Sequence, residues 1–224
     1  MSILRLVPRA ALAIAGLLLA GLQGGQAAGQ TVSNTSLNAQ MLVAARQGDV
    51  AAVQAALARG AAPNSRNRLG KTVLMMAAEQ GQLAMARAAL AAGTDANLAS
   101  LERVTPLMAA SYGGHSAVVA ALLDAGARPA TTDRMNKPAM VYAAGQGQAE
   151  VVGLLLDHGV AVDAAYANGL TALMWAAGQG ALPATRLLLA RGARTDLRDD
   201  RSLSAQDIAR KAGHVELAAL LDSR

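Results

Sequence analysis

An all-α repeat solenoid is the fold class this sequence predicts, and four columns of evenly spaced residues predict it. Glycines recur every 33 residues at Gly48, Gly81, Gly114, Gly147, Gly180 and Gly213. A second glycine series keeps the same step at Gly60, Gly93, Gly126, Gly159 and Gly192. Two apolar columns hold the register: Leu57, Leu90, Leu123, Leu156 and Leu189, and Ala44, Ala77, Ala110, Ala143, Ala176 and Ala209. A constant period in this range means one supersecondary unit copied along the chain, each copy burying its apolar face against its neighbours. The glycines predict tight turns with positive φ, first between two helices and again after the second. The alanine column predicts that the two short helices of a unit approach closely.

Residues 1–27 stand apart. Arg5 and Arg9 precede an apolar run from Ala10 to Leu22, and small residues follow at Gly24, Gly25, Ala27 and Ala28. A basic start, a short apolar stretch and a small-residue exit read as a secretory signal peptide, cleaved after Ala27 or Ala28. The run is shorter than the ~20 residues of a comfortable membrane span; an uncleaved N-terminal anchor is the alternative. Residues 28–36 form a polar linker, and 37–224 form the repeat domain.

Six units fit that domain, at about 37–66, 67–99, 100–132, 133–165, 166–198 and 199–224. The first lacks a hairpin and the last stops before its closing glycine, as terminal caps do. In the second, third and fifth units a polar turn leads to Thr72, Thr105 and Thr171. Each is placed to cap a helix, its hydroxyl accepting from the free amides of the first turn. Pro106 suits the first helical position, where an amide has no partner, whereas in the fourth unit Pro138 replaces the capping Thr. The second helices of the third and fourth units carry apolar stripes, Val118, Val119, Leu122 and Leu123, then Val151, Val152, Leu155 and Leu156, which bury one face. The hairpin glycine of the second and fifth units, Gly70 and Gly169, is Arg103, Asn136 and Ser202 elsewhere, which predicts less regular turns there.

Four segments together resemble the ankyrin repeat: Thr105-Pro106-Leu107, Gly114-His115, Leu122-Leu123-Asp124-Ala125-Gly126-Ala127 and Asn168-Gly169-Leu170-Thr171-Ala172-Leu173. The resemblance runs from about Leu37 to Arg224. It implies stacked helix-turn-helix units with hairpin fingers along one edge and the first helices lining a concave face. It also implies a non-catalytic protein-binding role through fingertips and that inner face. The fingertip positions are then Arg68, Leu69 and Lys71; Leu101, Glu102 and Val104; Arg134, Met135 and Lys137; Asn168 and Leu170; and Asp200 with Arg201. The first three fingers are basic on balance, which serves either a partner or plain solubility. Gln47, Gln80, Gln146 and Gln179 form a polar column that could donate and accept along an extended partner backbone, or simply end a helix. Tyr112, Tyr142 and Trp175 lie on the first helices of three consecutive units in a chain without phenylalanine. Rings concentrate binding energy at interface centres and are also efficient core filler. The candidate partner-binding set is Arg68, Lys71, Glu102, Tyr112, Arg134, Lys137, Tyr142, Gln146, Trp175 and Gln179.

Composition bounds the remaining classes. The chain has no cysteine, which fits an oxidising compartment and rules out disulfide stapling. Heavy alanine and arginine usage with little lysine points to a GC-rich bacterial genome, so the periplasm or secretion is the expected destination. Net charge is +5, and losing Arg5 and Arg9 with the signal leaves 18 basic against 15 acidic residues, a net +3. That excess is too small to argue for nucleic acid. The expected partner is a protein, with no nucleic acid, no membrane after signal cleavage, no cofactor and a monomeric state.

Catalysis needs convergent nucleophile, base or metal ligands. His115 and His214 share one repeat position and read as structural, and His158 sits at a helix end where a partly charged imidazole suits the dipole. Met75, Met108 and Met174 share a column beside Met76. Without a His or Cys partner they read as adaptable filler rather than a soft-metal row. Gly113-Gly114 and Gly145-Gln146-Gly147 are loop positions of the repeat, not a phosphate cradle. The expectation is a non-catalytic scaffold exported to the cell envelope. A secreted effector or inhibitor acting on another cell is the alternative, and an envelope metal-binding or enzymatic protein is the alternative of another class.

Overall fold

The computed structural model describes residues 36–222, so the expected signal peptide and nearly all of the linker lie outside the described residues. Among the described residues there are twelve α-helices and no strand. Helix α1 spans 36–47. It is followed by α2 (Val50–Ala58), α3 (Val73–Gln80), α4 (Leu83–Ala91), α5 (Pro106–Gly113) and α6 (Ser116–Asp124). Then come α7 (Ala139–Gly145), α8 (Ala149–Asp157), α9 (Ala172–Gly178), α10 (Leu182–Ala190), α11 (Ala205–Lys211) and α12 (Val215–Asp222). Helices α3, α5, α7, α9 and α11 pack side by side in one row, and α2, α4, α6, α8 and α10 in a second. This is the α repeat solenoid that the periodic glycines and alanines predict.

The alanine column makes the first row possible. Ala77, Ala110, Ala143, Ala176 and Ala209 are all completely buried, so neighbouring helices meet over methyl groups. Leu and Met fill the wider gaps, with Met41, Met75, Met85, Met108, Met140 and Met174 among the fully buried side chains.

Helix starts follow the predicted chemistry. The hydroxyls of Thr72, Thr105 and Thr171 accept from the amides of Met75, Met108 and Met174 at 3.2–3.3 Å. The methionine column has a second task here: the Thr105 and Thr171 amides donate to Sδ of Met108 and Met174 at 3.4 and 3.5 Å. In α11, Ser204 and Asp207 make the reciprocal pair, each side chain accepting from the other's amide. Pro138 gives α7 no side-chain cap.

One expectation fails. Arg103, Asn136 and Ser202 take φ of 61°, 56° and 62°, the left-handed conformation that Gly70 and Gly169 adopt at 73° and 70°; in the fifth unit Asn168 is left-handed as well, at 62°. The hairpins without glycine are therefore as regular as those with it. A side-chain bridge enforces the shape in three fingers. Oδ1 of Asn67 accepts from the amides of Leu69 and Lys71, that of Asp133 from Met135 and Lys137, and that of Asp199 from Arg201 and Leu203. Adjacent fingers also join directly, Leu101 N–H donating to the Leu69 carbonyl and Asp200 N–H to that of Asn168, both at 3.1 Å.

Candidate binding face

The first-helix row carries three of the four aromatic residues, Tyr112, Tyr142 and Trp175. Met76, Ala109, Tyr142, Trp175 and Ile208 stand in one column at the 33-residue step. Tyr112, one turn further along α5, is 54% exposed, while Tyr142 and Trp175 are half-buried. The rings of Tyr112 and Tyr142 meet edge to face, centroids 6.0 Å apart and planes at 79°. This is the preferred geometry for two quadrupoles.

Tyr142 is pinned from below. Its hydroxyl donates to Oδ2 of Asp133 at 2.5 Å, and Asp133 is buried. Burial alone would raise the Asp133 carboxyl, but hydrogen bonds from Tyr142 and from the Lys137 and Met135 amides outweigh it and hold the group below the usual carboxylate range. Burial, then the bond to Asp133, pushes the Tyr142 phenol up to about 12. Asp133 is thus a buried anion that shapes both a finger and a ring. Sequence reading did not single it out. The signal was the 33-residue column Asn67, Asp133 and Asp199, interrupted by Ser100 and Tyr166.

Lys71 and Lys137, expected at fingertips, fold back half-buried over the helices. The Lys137 ammonium lies 4.8 Å from the centroid of the Trp175 ring, a cation–π distance. The Lys71 ammonium sits 2.6 Å from Oε1 of Glu79. The tips themselves are Arg68, Leu69, Leu101, Glu102, Arg134 and Met135, all exposed. Arg134 and Glu102 approach to 3.4 Å with both side chains mostly in water, a pair that adds little stability. With three of its cations engaged, the finger edge is less basic than its sequence implies.

The glutamine column divides. Gln80 Nε2 donates to the carbonyls of Ala45 and Arg46 at 3.2 and 3.5 Å, closing the end of the preceding first helix. Gln146 and Gln179 are exposed. A neighbouring column performs the same closing task further along. Nε2 of His115 and of His214 lies 3.3 Å from the carbonyls of Glu79 and Gly178, and Gln148 Nε2 donates to the Tyr112 carbonyl at 3.4 Å. His158 Nδ1 lies 2.8 Å from the carbonyl of Leu154 in its own helix. Each histidine therefore has a bonding role in the fold. Among the described residues no three His, Asp or Glu side chains converge on a metal-sized site, and no helix is long and apolar enough to cross a membrane.

Hollows interrupt the surface of the described residues. One of about 330 Å³ opens on the first-helix face and is lined by Glu79, Val104, Met108, Ala109, Tyr112, Gly113 and Tyr142. Another, of about 340 Å³, lies where Pro129, Pro138, His158 and Tyr166 meet. The Tyr166 hydroxyl is buried without a partner, and burial pushes it up to about 12.

The sequence matches a family model described as ankyrin repeats (3 copies), over residues 41–133 and again over 131–199. No curated protein matches the chain.

Proposed function

Because the chain belongs to the ankyrin-repeat family, we propose that it is a non-catalytic scaffold that binds a partner protein through the first-helix face and its adjoining fingers. The observation that carries this reading is Tyr112, a ring 54% exposed at the mouth of a hollow and braced by Tyr142. A rigid aromatic held in water loses little conformational freedom when a partner covers it. Arg68, Glu102 and Arg134 on the fingers, and Gln146 and Gln179 at the helix ends, are exposed and would supply a polar rim. The basic, apolar and small-residue order of residues 1–27 supports export, which puts the scaffold in the periplasm or outside the cell.

Capture from envelope extract with the tagged protein, read by mass spectrometry, identifies the partner, and the same preparation reports the mature N-terminus. We expect that terminus near Ala28; intact Met1 on exported protein would refute cleavage. With the partner in hand, Tyr112→Ala should weaken binding by more than about tenfold, as a central interface ring does, while thermal stability falls only by the small amount that the edge contact with Tyr142 contributes. Unchanged affinity there, together with loss of binding on changing the exposed Lys211 of α11, would move the surface elsewhere.

A further inference from the structure

The repeat turns one contact of this face into a template for another. Lys137 covers the ring of Trp175. One unit earlier the same two places hold Val104 and Tyr142, two units earlier Lys71 and Ala109, and one unit later Leu170 and Ile208. Only at Tyr142 does a ring stand without its cation. The space concerned is the hollow of about 330 Å³, whose walls include both Val104 and Tyr142. It exists because Val104 is shorter than lysine and Ala109 smaller than the other residues in its column.

Three features of the hollow favour a positive charge. Two tyrosine rings line it, and an aromatic face attracts a cation. The buried carboxylate of Asp133 accepts the Tyr142 proton bond from behind, which adds electron density to that ring and fixed negative charge beneath it. At the rim stands the Glu79 carboxylate, whose Oε1 lies 2.6 Å from the Lys71 ammonium. Two lysines share the region and both are engaged, Lys71 on Glu79 and Lys137 on Trp175. The two lysines and the two carboxylates balance, so recognition of an incoming cation falls chiefly to the rings.

The remaining geometry selects the kind of cation. The volume lies at the small end of ligand sites and accepts one long side chain. Its inner wall of Val104, Met108 and Ala109 suits an aliphatic stem. A guanidinium is planar, stacks on a ring, hydrates weakly and still has N–H groups for a carboxylate oxygen, whereas an ammonium is a compact and strongly hydrated charge. We propose that this hollow is the socket for an arginine side chain of the partner protein, stacked on Tyr142 and hydrogen-bonded to Glu79. The assignment rests on the scaffold reading and adds the chemistry of its contact.

The test titrates the protein with N-acetyl-arginine amide and follows tyrosine ring resonances by NMR. The citrulline, lysine and leucine amides serve as comparisons. The arginine amide should move the Tyr112 and Tyr142 signals, and its uncharged isostere citrulline should bind about tenfold or more weakly. Glu79→Gln should weaken the arginine amide by a similar factor. Val104→Lys should place the chain's own cation over Tyr142 and abolish binding, with the melting temperature reporting that the fold is intact. Should that variant unfold, Glu79→Gln carries the test alone. Equal binding of citrulline or leucine amide, silence of both tyrosines, or wild-type affinity in Glu79→Gln overturns the socket. If partner capture survives Glu79→Gln and Val104→Lys while the arginine amide leaves the tyrosines unmoved, the socket falls and the scaffold stands. If no partner is captured at all, the scaffold reading fails, whatever the amide does.

Discussion

Arg103 holds a backbone conformation that a side chain disfavours. Its φ of 61° brings Cβ near a carbonyl oxygen, at a cost of ~1–2 kcal/mol for a residue other than glycine. Asn tolerates that region and occupies it at Asn136, and the fingers of Asn136 and Ser202 are braced by Asp133 and Asp199. The Arg103 finger begins at Ser100, whose side chain makes no such bridge among the described residues. Arg103→Gly should therefore raise stability by about 0.5–1 kcal/mol, the relief of strain being partly offset by the greater freedom of glycine in the unfolded chain. A denaturation midpoint that falls instead would mean that the guanidinium is holding something. The Asp133–Tyr142 bond gives a second residue-scale expectation, read from the melting temperature against pH. The Tyr142 phenol is raised from about 10 to about 12, so its contribution is complete below ~10 and is lost as pH climbs toward the folded value. Asp133 is shifted the other way, so its contribution is present above ~4, the ordinary carboxylate value, and is lost as pH falls through the lowered one. Tyr142→Phe should flatten both limbs. Alkaline loss will persist in part, because Tyr166 is also raised to about 12. An unchanged pH profile would show that the bond does not persist in solution.

The helices are seven to nine residues long from α2 onward, too short to persist alone in water. Their stability comes from the rows they form. Ala143, completely buried on α7 where α5 and α9 press against it, is the sharpest probe of that packing. Ala143→Leu should destabilise by about 1–3 kcal/mol, because a close-packed row has no room for three more carbons. A urea midpoint equal to wild type would reveal slack between the rows. At this scale the sequence was informative about helix starts and ends, since Thr, Pro and Gly act within one turn of where they stand. It was less informative about Lys71 and Lys137. Both follow the left-handed residue of a hairpin and directly precede a helix cap. By that point the chain has already turned back, so a side chain there lies along the helices and not at the tip.

Across the whole molecule, residues that keep the 33-step build the fold, and residues that break it build the face. Gly126 and Ala143 could be placed from the sequence because each has equivalents in other units. The hollow could not, because it arises where Val104 and Ala109 depart from their columns and where Tyr112 and Tyr142 come from adjoining units. Only packing brings such departures together. Asp133 escaped notice for a related reason, its column being visible in alternate units only.

The side chains that close one unit are borrowed from the next. The carbonyl of Glu79 is met by His115, that of Tyr112 by Gln148 and that of Gly178 by His214, in each case a residue 36 positions later. The stack therefore has a direction in time as well as in space. As a chain is synthesised from its N-terminus, each of these three helices emerges with an open end. It stays unfinished until the following unit is long enough to reach back.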